Sequence, residues 1–271
     1  ERGIITAAYL ALKPIGVHPR FFSHLLRAYD TRKVFYSMGG GLRQSIKFSD
    51  LKRMQIPLPP EPEQKAIATF LDLEITKIEP LVEEQRRLIE LLKEKRQAVI
   101  SQAVTKGLDP RVPMKDSGVE WLGQIPAHWK LTRLGWLATE INDINHEMPE
   151  AVIEGVPFLS AKDLDDFGNL DFENDVKLIS EADFERLSRK IRPHKGDIVY
   201  SRIGTIGRAC IVRADMKFLV SYSCCIIRVI REDVLIDFLR DVLASDLILI
   251  ESRSRVRSMG QPDLGLGEIR R

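Results

Sequence analysis

The chain has 271 residues, 44% hydrophobic and 30% charged, enough for one large core or two small ones and unlike a disordered sequence. Its apolar runs, such as Leu247 to Ile250, are far too short to cross a bilayer, and Glu1 opens a charged segment without the apolar stretch of a secretory signal. Lys and Arg number 41 against 39 Asp and Glu, a net of +2 that points to no polyanion by itself.

The distribution of charge says more. Residues 1–61 carry ten basic and four acidic side chains (+6), residues 62–106 eight of each, and residues 107–271 carry 23 against 27 (−4). Within that acidic part, residues 186–217 hold nine basic residues against only Asp197 and Asp215, a net of +7. Positive charge focused on two segments suits a polyanion meeting one face, and on charge alone a mixed solvated surface fits equally well. Cys210, Cys224 and Cys225 have no second Cys/His cluster at ligand spacing. They are expected to be buried packing residues of a cytoplasmic protein in a reducing compartment, with no metal site.

In chain order, an apolar, strand-like run around Tyr9 is followed by a helical run from Phe21 to Tyr29. A turn-rich stretch comes next, with Gly39-Gly40-Gly41 and then Ile56-Pro57-Leu58-Pro59-Pro60, a stiff extended lead. Over 62–106 there is no Gly, and apolar residues recur at Ile67, Leu71, Ile78, Leu81, Leu88, Leu92 and Val99. That spacing predicts one long helix with a single apolar stripe, roughly 60 Å at 1.5 Å per residue. Pro80 is expected to kink or interrupt it near Ile78–Glu79, and Gly107 and Pro110 to end it. A helix this long cannot bury its stripe on itself and needs a second long helix, from elsewhere in the protein or from a second copy. Residues 107–130, rich in Gly, Pro and Trp, predict an ordered linker with aromatic anchors. In 131–271, Asp197 to Val212 predicts a hairpin punctuated by Gly204 and Gly207, and Leu235 to Glu251 a helix.

A repeat underlies this order. Ser45 to Arg53 (SIKFSDLKR) has the pattern of Asp263 to Arg271 (DLGLGEIRR), each after a Met-Gly pair and a Phe/Leu-rich helical run. The expectation is a processed, truncated or excised window cut from a duplicated protein.

These segments resemble a known family. Ser117 to Lys130 (SGVEWLGQIPAHWK) is similar to the entry of a target-recognition domain in type I restriction–modification specificity subunits, and Lys195 to Val212 to a motif inside such domains. Ile56 to Asp72, continuing through Leu91 to Leu108, resembles the exit from one domain and its spacer helix. The resemblance implies an α+β fold with globular target-recognition domains of mixed helix and sheet on a long coiled-coil-type spacer. Residues 1–61 would be the C-terminal part of a first domain, 62–106 the spacer, 107–130 the linker and 131–271 a nearly complete second domain. The front half of the first domain, the last few residues of the second and the whole second spacer helix would be missing.

What the resemblance implies for function is a non-catalytic subunit that reads one half of a split sequence of double-stranded DNA per domain, in host defence and DNA methylation. Methyltransferase subunits and a restriction or motor subunit would be its partners, carrying S-adenosylmethionine, ATP and Mg, with no cofactor on this chain and no membrane contact. Charged faces of the spacer would dock the methyltransferase subunits, and its apolar stripe could pair with a second copy. The competing expectation is a remnant, or a coiled-coil scaffold, without DNA-reading activity.

DNA reading needs basic and amide side chains on fixed loops or strands. Candidates flank the Gly-punctuated hairpin: Lys195, Tyr200, Ser201, Arg202, Thr205 and Arg208. A second set is Arg253, Arg255, Arg257, Ser258 and Gln261, and the first copy offers Arg43, Gln44 and Lys47. The alternative is that the hairpin is a core motif, with Arg202 and Arg208 pairing buried acids. Asp163, Asp165 and Asp166 lie close enough to hold a metal, though a solvated turn is the simpler reading. His128 and His146 have no partner at ligand spacing and are expected to be structural or exposed. Neither a dinucleotide-binding glycine pattern nor a phosphate-loop Lys-Ser/Thr occurs.

Overall fold

The computed structural model of the protein describes residues 10–38, 46–229, 233–256 and 260–270. It divides into two compact units, Glu1–Glu90 and Leu91–Arg271, with the division falling inside the long helix.

In the first unit, helix α1 (Pro19–Thr31) opens on a proline, which lacks only a donor that the first turn would leave unpaired, and buries Phe21. The short helix α2 (Phe48–Leu51) is started by Asp50, whose carboxylate accepts the Lys47 backbone N–H at 3.0 Å. Helix α3 (Glu61–Lys106) runs for 46 residues. Buried Gln64 ties its first turn to the chain ahead of α1: its amide donates to the Pro59 carbonyl and its oxygen accepts the His18 backbone N–H, both at 2.7 Å. About two turns further along α3, Asp72 receives Arg20 Nε at 3.1 Å and lies 2.8 Å from His24 Nε2. Hydrogen bonds from Arg20 and then His24 hold the Asp72 carboxyl below its ordinary range.

The helix continues through Pro80, where a kink or an interruption was expected, without an interruption. Pro80 removes the donor that would meet the Thr76 carbonyl, but both residues are exposed, so water replaces that bond. Ile67 and Leu71 are half-buried, whereas Ile78, Leu81, Leu88, Leu92 and Val99 of the same stripe are all exposed.

Within the second unit Gly107, at φ +77°, ends α3. Strands β1 (Met114–Asp116) and β2 (Gln124–Pro126) form a small antiparallel hairpin, after which Trp129 packs edge-on against Phe238. Helix α4 (Leu134–Leu137) leads to strand β3 (Glu140–Asn142), then β4 (Val156–Leu159), β5 (Lys177–Ile179) and helix α5 (Glu181–Leu187). Strands β6 (Ile198–Ser201), β7 (Ala209–Ile211), β8 (Leu219–Val220) and β9 (Cys224–Arg228) follow. Helices α6 (Ile236–Leu243), α7 (Asp246–Ser254) and α8 (Leu266–Ile269) close the described chain. The expected helix over 235–251 is therefore two, parted at Ser245, whose hydroxyl donates to the Val242 carbonyl at 2.7 Å.

The central sheet is antiparallel, in the order β3-β9-β6-β7, and β6 and β7 are the expected hairpin, paired Ile198↔Ile211 and Tyr200↔Ala209. A second sheet, β5-β4-β8, is mixed. Side chains alternate across the central sheet. Val199, Cys210, Cys224 and Ile226 face a core shared with Phe158, Leu159, Phe184 and Leu219. Ile198, Tyr200, Ala209, Ile211, Cys225 and Ile227 face a second core built with Leu239, Leu243, Leu264 and Ile269. Both faces are covered, which is why Ile198-Val199-Tyr200 and Cys224 to Ile227 are apolar without alternation. All three cysteines are free and buried, and burial pushes the Cys210 and Cys224 thiols up to about 12.

The sequence repeat has a structural counterpart in each unit: α2 in one and α8 in the other are both four-residue helices, entered from extended backbone at Lys47 and Gly265.

Candidate nucleic-acid interface

In the central sheet β3 and β6 end, and β7 and β9 begin, at the same edge. The segments 143–147, 202–208 and 221–223 therefore gather at one end of the second unit. The segment 260–264 joins them through the Leu264 backbone N–H, which donates to the Arg202 carbonyl at 2.9 Å, and the Gly204 N–H, which donates to the Pro262 carbonyl at 2.9 Å. Loops at strand ends on a rigid sheet are where binding residues concentrate, because the scaffold fixes them without the loops having to pack internally.

Arg202 holds this end together. It is only 3% exposed. Its Nη2 donates to Asp143 at 2.7 Å and its Nη1 to Asp263 at 2.6 Å, so one guanidinium spans two loops drawn from distant parts of the chain. Lys190 adds a second cation on Asp143 at 3.1 Å. Burial alone would raise the Asp143 carboxyl, but hydrogen bonds from Arg202 and then Lys190 outweigh it and hold the group below its ordinary value. Arg202 also places Nη2 3.0 Å from His146 Nε2, and the His146 ring stacks on Tyr222 at 4.7 Å between centroids.

The expected contact residues divide by exposure. Tyr200, Ser201 and Arg202 lie in the interior, so the core alternative describes them. Tyr200 is on the α6 side of the sheet, where burial, against a bond to Ser252, pushes its hydroxyl up to about 12. The Ser201 hydroxyl accepts the Arg208 backbone N–H at 2.9 Å and closes the loop. Arg208 is partly exposed, and its Nε meets Asp166 at 2.8 Å while Nη1 donates to the Leu164 carbonyl at 2.8 Å. Lys195, Thr205, Arg253, Gln261 and Lys47 are exposed. Arg255 is half-buried and bound to Glu251. Arg43, Gln44, Arg257 and Ser258 lie outside the described residues.

Thr205 and Gln261 belong to the loop end itself. Gly204 sits at φ +77°, a left-handed conformation that glycine adopts without steric cost, and the exposed Gln261 amide lies close beside it.

The basic segment 186–217 does not present its charge as a bare patch. Arg186, Lys190, Arg202, Arg208, Arg213 and Lys217 are each paired with an acid, leaving Arg189, Arg192 and Lys195 without an ion pair among the described residues. The three aspartates considered as metal ligands do other work. Asp163 caps Ser160, Asp165 accepts the Phe167 and Asn169 N–H groups, and Asp166 takes Arg208. Among the described residues no group of three His, Cys, Asp or Glu side chains could hold a metal ion, and no helix is long and apolar enough to cross a membrane. An apolar cleft of about 990 Å³ is lined by Trp121, Trp129, Leu134, Phe238 and Leu247; of the expected contact residues among those described, only Tyr200 and Arg255 reach its wall.

Asp143 was not singled out in the sequence, and His146, expected to be structural or exposed, is 58% exposed and packed on Tyr222 beside Arg202. Their partners are 59 and 56 positions away, and no spacing rule joins them to Arg202.

Comparison with known proteins agrees with the sequence resemblance. Residues 6–91 match the family model described as Type I restriction modification DNA specificity domain. The type I restriction enzyme EcoBI specificity subunit of Escherichia coli is 28% identical over 211 residues, covering 73% of this chain and 42% of that protein. A putative type I restriction enzyme MjaX specificity subunit of Methanocaldococcus jannaschii is 29% identical over 192 residues, 67% of this chain and 43% of that protein. The chain thus spans less than half the length of these curated relatives. The crystal structure of an HsdS subunit from Thermoanaerobacter tengcongensis aligns over 94% of this chain and 60% of that one, with 20% identity and a TM-score of 0.37.

Proposed function

As a relative of the type I restriction–modification specificity subunits, with their DNA specificity domain matched over residues 6–91, the chain is, we propose, the DNA-reading part of such a complex and carries no catalytic step. The observation that carries this reading is that domain match. The loop end gathered by Arg202 adds a rigid, solvent-facing surface of the kind DNA recognition uses.

In this reading each recognition domain reads one half of a split target in double-stranded DNA, and α3 sets the distance between the halves. Lys195, Thr205, Arg253, Gln261 and Lys47 are the contact residues that solvent reaches, with Arg208 at the margin. Methyltransferase and restriction subunits bring S-adenosylmethionine, ATP and Mg. The exposed stripe Ile78, Leu81, Leu88, Leu92 and Val99 takes another long helix, including that of a second copy. That same stripe also supports the second reading, an assembly scaffold without DNA-reading activity.

The experiment is purification with the neighbouring methyltransferase subunit, followed by mapping of methylated positions in host DNA. Methylation at a split motif that changes when residues 131–271 are exchanged supports DNA reading. A stable complex that methylates no defined sequence leaves the scaffold.

A further inference from the structure

Arginine can only donate hydrogen bonds, so the contact between Arg202 Nη2 and His146 Nε2 at 3.0 Å makes Nε2 the acceptor. The ring proton of the neutral imidazole must then sit on Nδ1. Protonation would add a proton at Nε2, against Asp143 Oδ2 at 3.4 Å, and leave the Nδ1 proton in place. Nδ1 is thus a donor in either charge state, and no described residue accepts from it.

The ring that carries this donor is both exposed and fixed. The His146 side chain is 58% exposed, yet one edge is held by Arg202 and one face lies on Tyr222 with 22° between planes. A donor that keeps its direction before the ligand arrives loses little entropy on binding. It also stands at the same loop end as Thr205 and Gln261, joined to both through Arg202 and the 260–264 segment.

Resting on the DNA-reading function above, we propose that His146 is a specificity-determining contact: its Nδ1–H donates to an acceptor on a base edge in the major groove. Purine N7, guanine O6 and thymine O4 are acceptors of that kind, whereas the exposed amino group of cytosine is not. Tyr222 and Arg202 act as positioning residues, holding the imidazole plane and its tautomer.

Two substitutions separate this role from a structural one. His146→Asn keeps an amide nitrogen near the Nδ1 position, while His146→Gln puts its amide near Nε2 and loses the donor. Each full-length variant, purified with its methyltransferase subunit, selects from a pool of randomised DNA duplexes, and the bound fraction is sequenced. His146→Gln is expected to lose discrimination at a single base position by about tenfold, with the salt dependence of binding unchanged, and His146→Asn to retain it. Unchanged selectivity in His146→Gln, or equal loss across all sequences in both variants, overturns the assignment. A wild-type complex that selects no sequence removes DNA reading itself, and the assignment with it.

Discussion

Replacing Arg202 by alanine isolates the ion-pair cluster on which the loop end rests. The substitution takes one donor from Asp143 Oδ2 and one from Asp263 Oδ1, leaving Asp143, whose side chain is 3% exposed, with Lys190 and the neighbouring His146. Removing one partner of a buried pair costs about 3–5 kcal/mol where the remaining charge is left uncompensated; Lys190 stays 3.1 Å from Asp143, so the loss falls in the lower part of that range. For a folding unit of this size that lowers the melting temperature by about 6 to 20 °C.

The pH dependence supplies an independent sign. In the wild type the Asp143 carboxyl is held low, so its contribution is fully present above the unfolded-state value of about 3.9 and is lost as pH falls through the folded value. In the variant burial acts with less opposition and raises the same carboxyl, so protonation relieves the buried charge. The gap between wild type and variant should therefore be widest near neutral pH and shrink as the solution is acidified. Thermal denaturation of both proteins across that range measures it. A gap near neutral pH below about 1 kcal/mol, within the range of an exposed pair, would refute the account of Arg202 as a buried tie.

Two further outcomes test the packing. Gly155→Ala places a Cβ 2.2 Å from the Ile179 carbonyl oxygen, beside the β4–β5 pairing, and should cost about 1–3 kcal/mol in denaturant titration; no loss would mean that this edge relaxes freely. With the Cys210 and Cys224 thiols raised to about 12, roughly one in ten thousand is ionised at pH 8, so a thiol reagent should label them only after denaturant is added, and rapid labelling of native protein would contradict their burial.

Elements whose signal is local were legible in the sequence. Helix α3 declares itself through more than forty residues without glycine and a repeating apolar stripe, and the β6–β7 hairpin through β-branched runs around Gly204 and Gly207. The four-residue helices α2 and α8 were not expected as helices: the repeated pattern marked their positions but not their conformation, because propensity is weak over one turn. Of the kink or interruption allowed for at Pro80, the interruption does not occur, because an exposed helix can lose one internal hydrogen bond to water.

The site was harder to read. The run around Arg202 signals a basic segment, yet whether an arginine faces solvent depends on acids brought near it by the fold, and Asp143 and Asp263 lie 59 and 61 positions away. Six of the nine basic residues in 186–217 meet acids in the same way, most of them at the surface, so the +7 of the segment is not the charge it presents. His146 gave no signal of its own, since its role follows from the direction in which Arg202 donates.

The tie at Arg202 also bears on how the chain is made. Asp143 emerges from the ribosome well before Arg202, but Asp263 and the Leu264 N–H that completes the loop come last. A nascent chain that stops short of residue 263 holds a half-made keystone, with the Ile203↔Asp263 bridge missing as well. The loop end therefore sets only once residues 263 and 264 have been made, because it closes through contacts of long sequence separation. Until then the 143–147, 202–208 and 221–223 segments lack the strap that fixes them to one another.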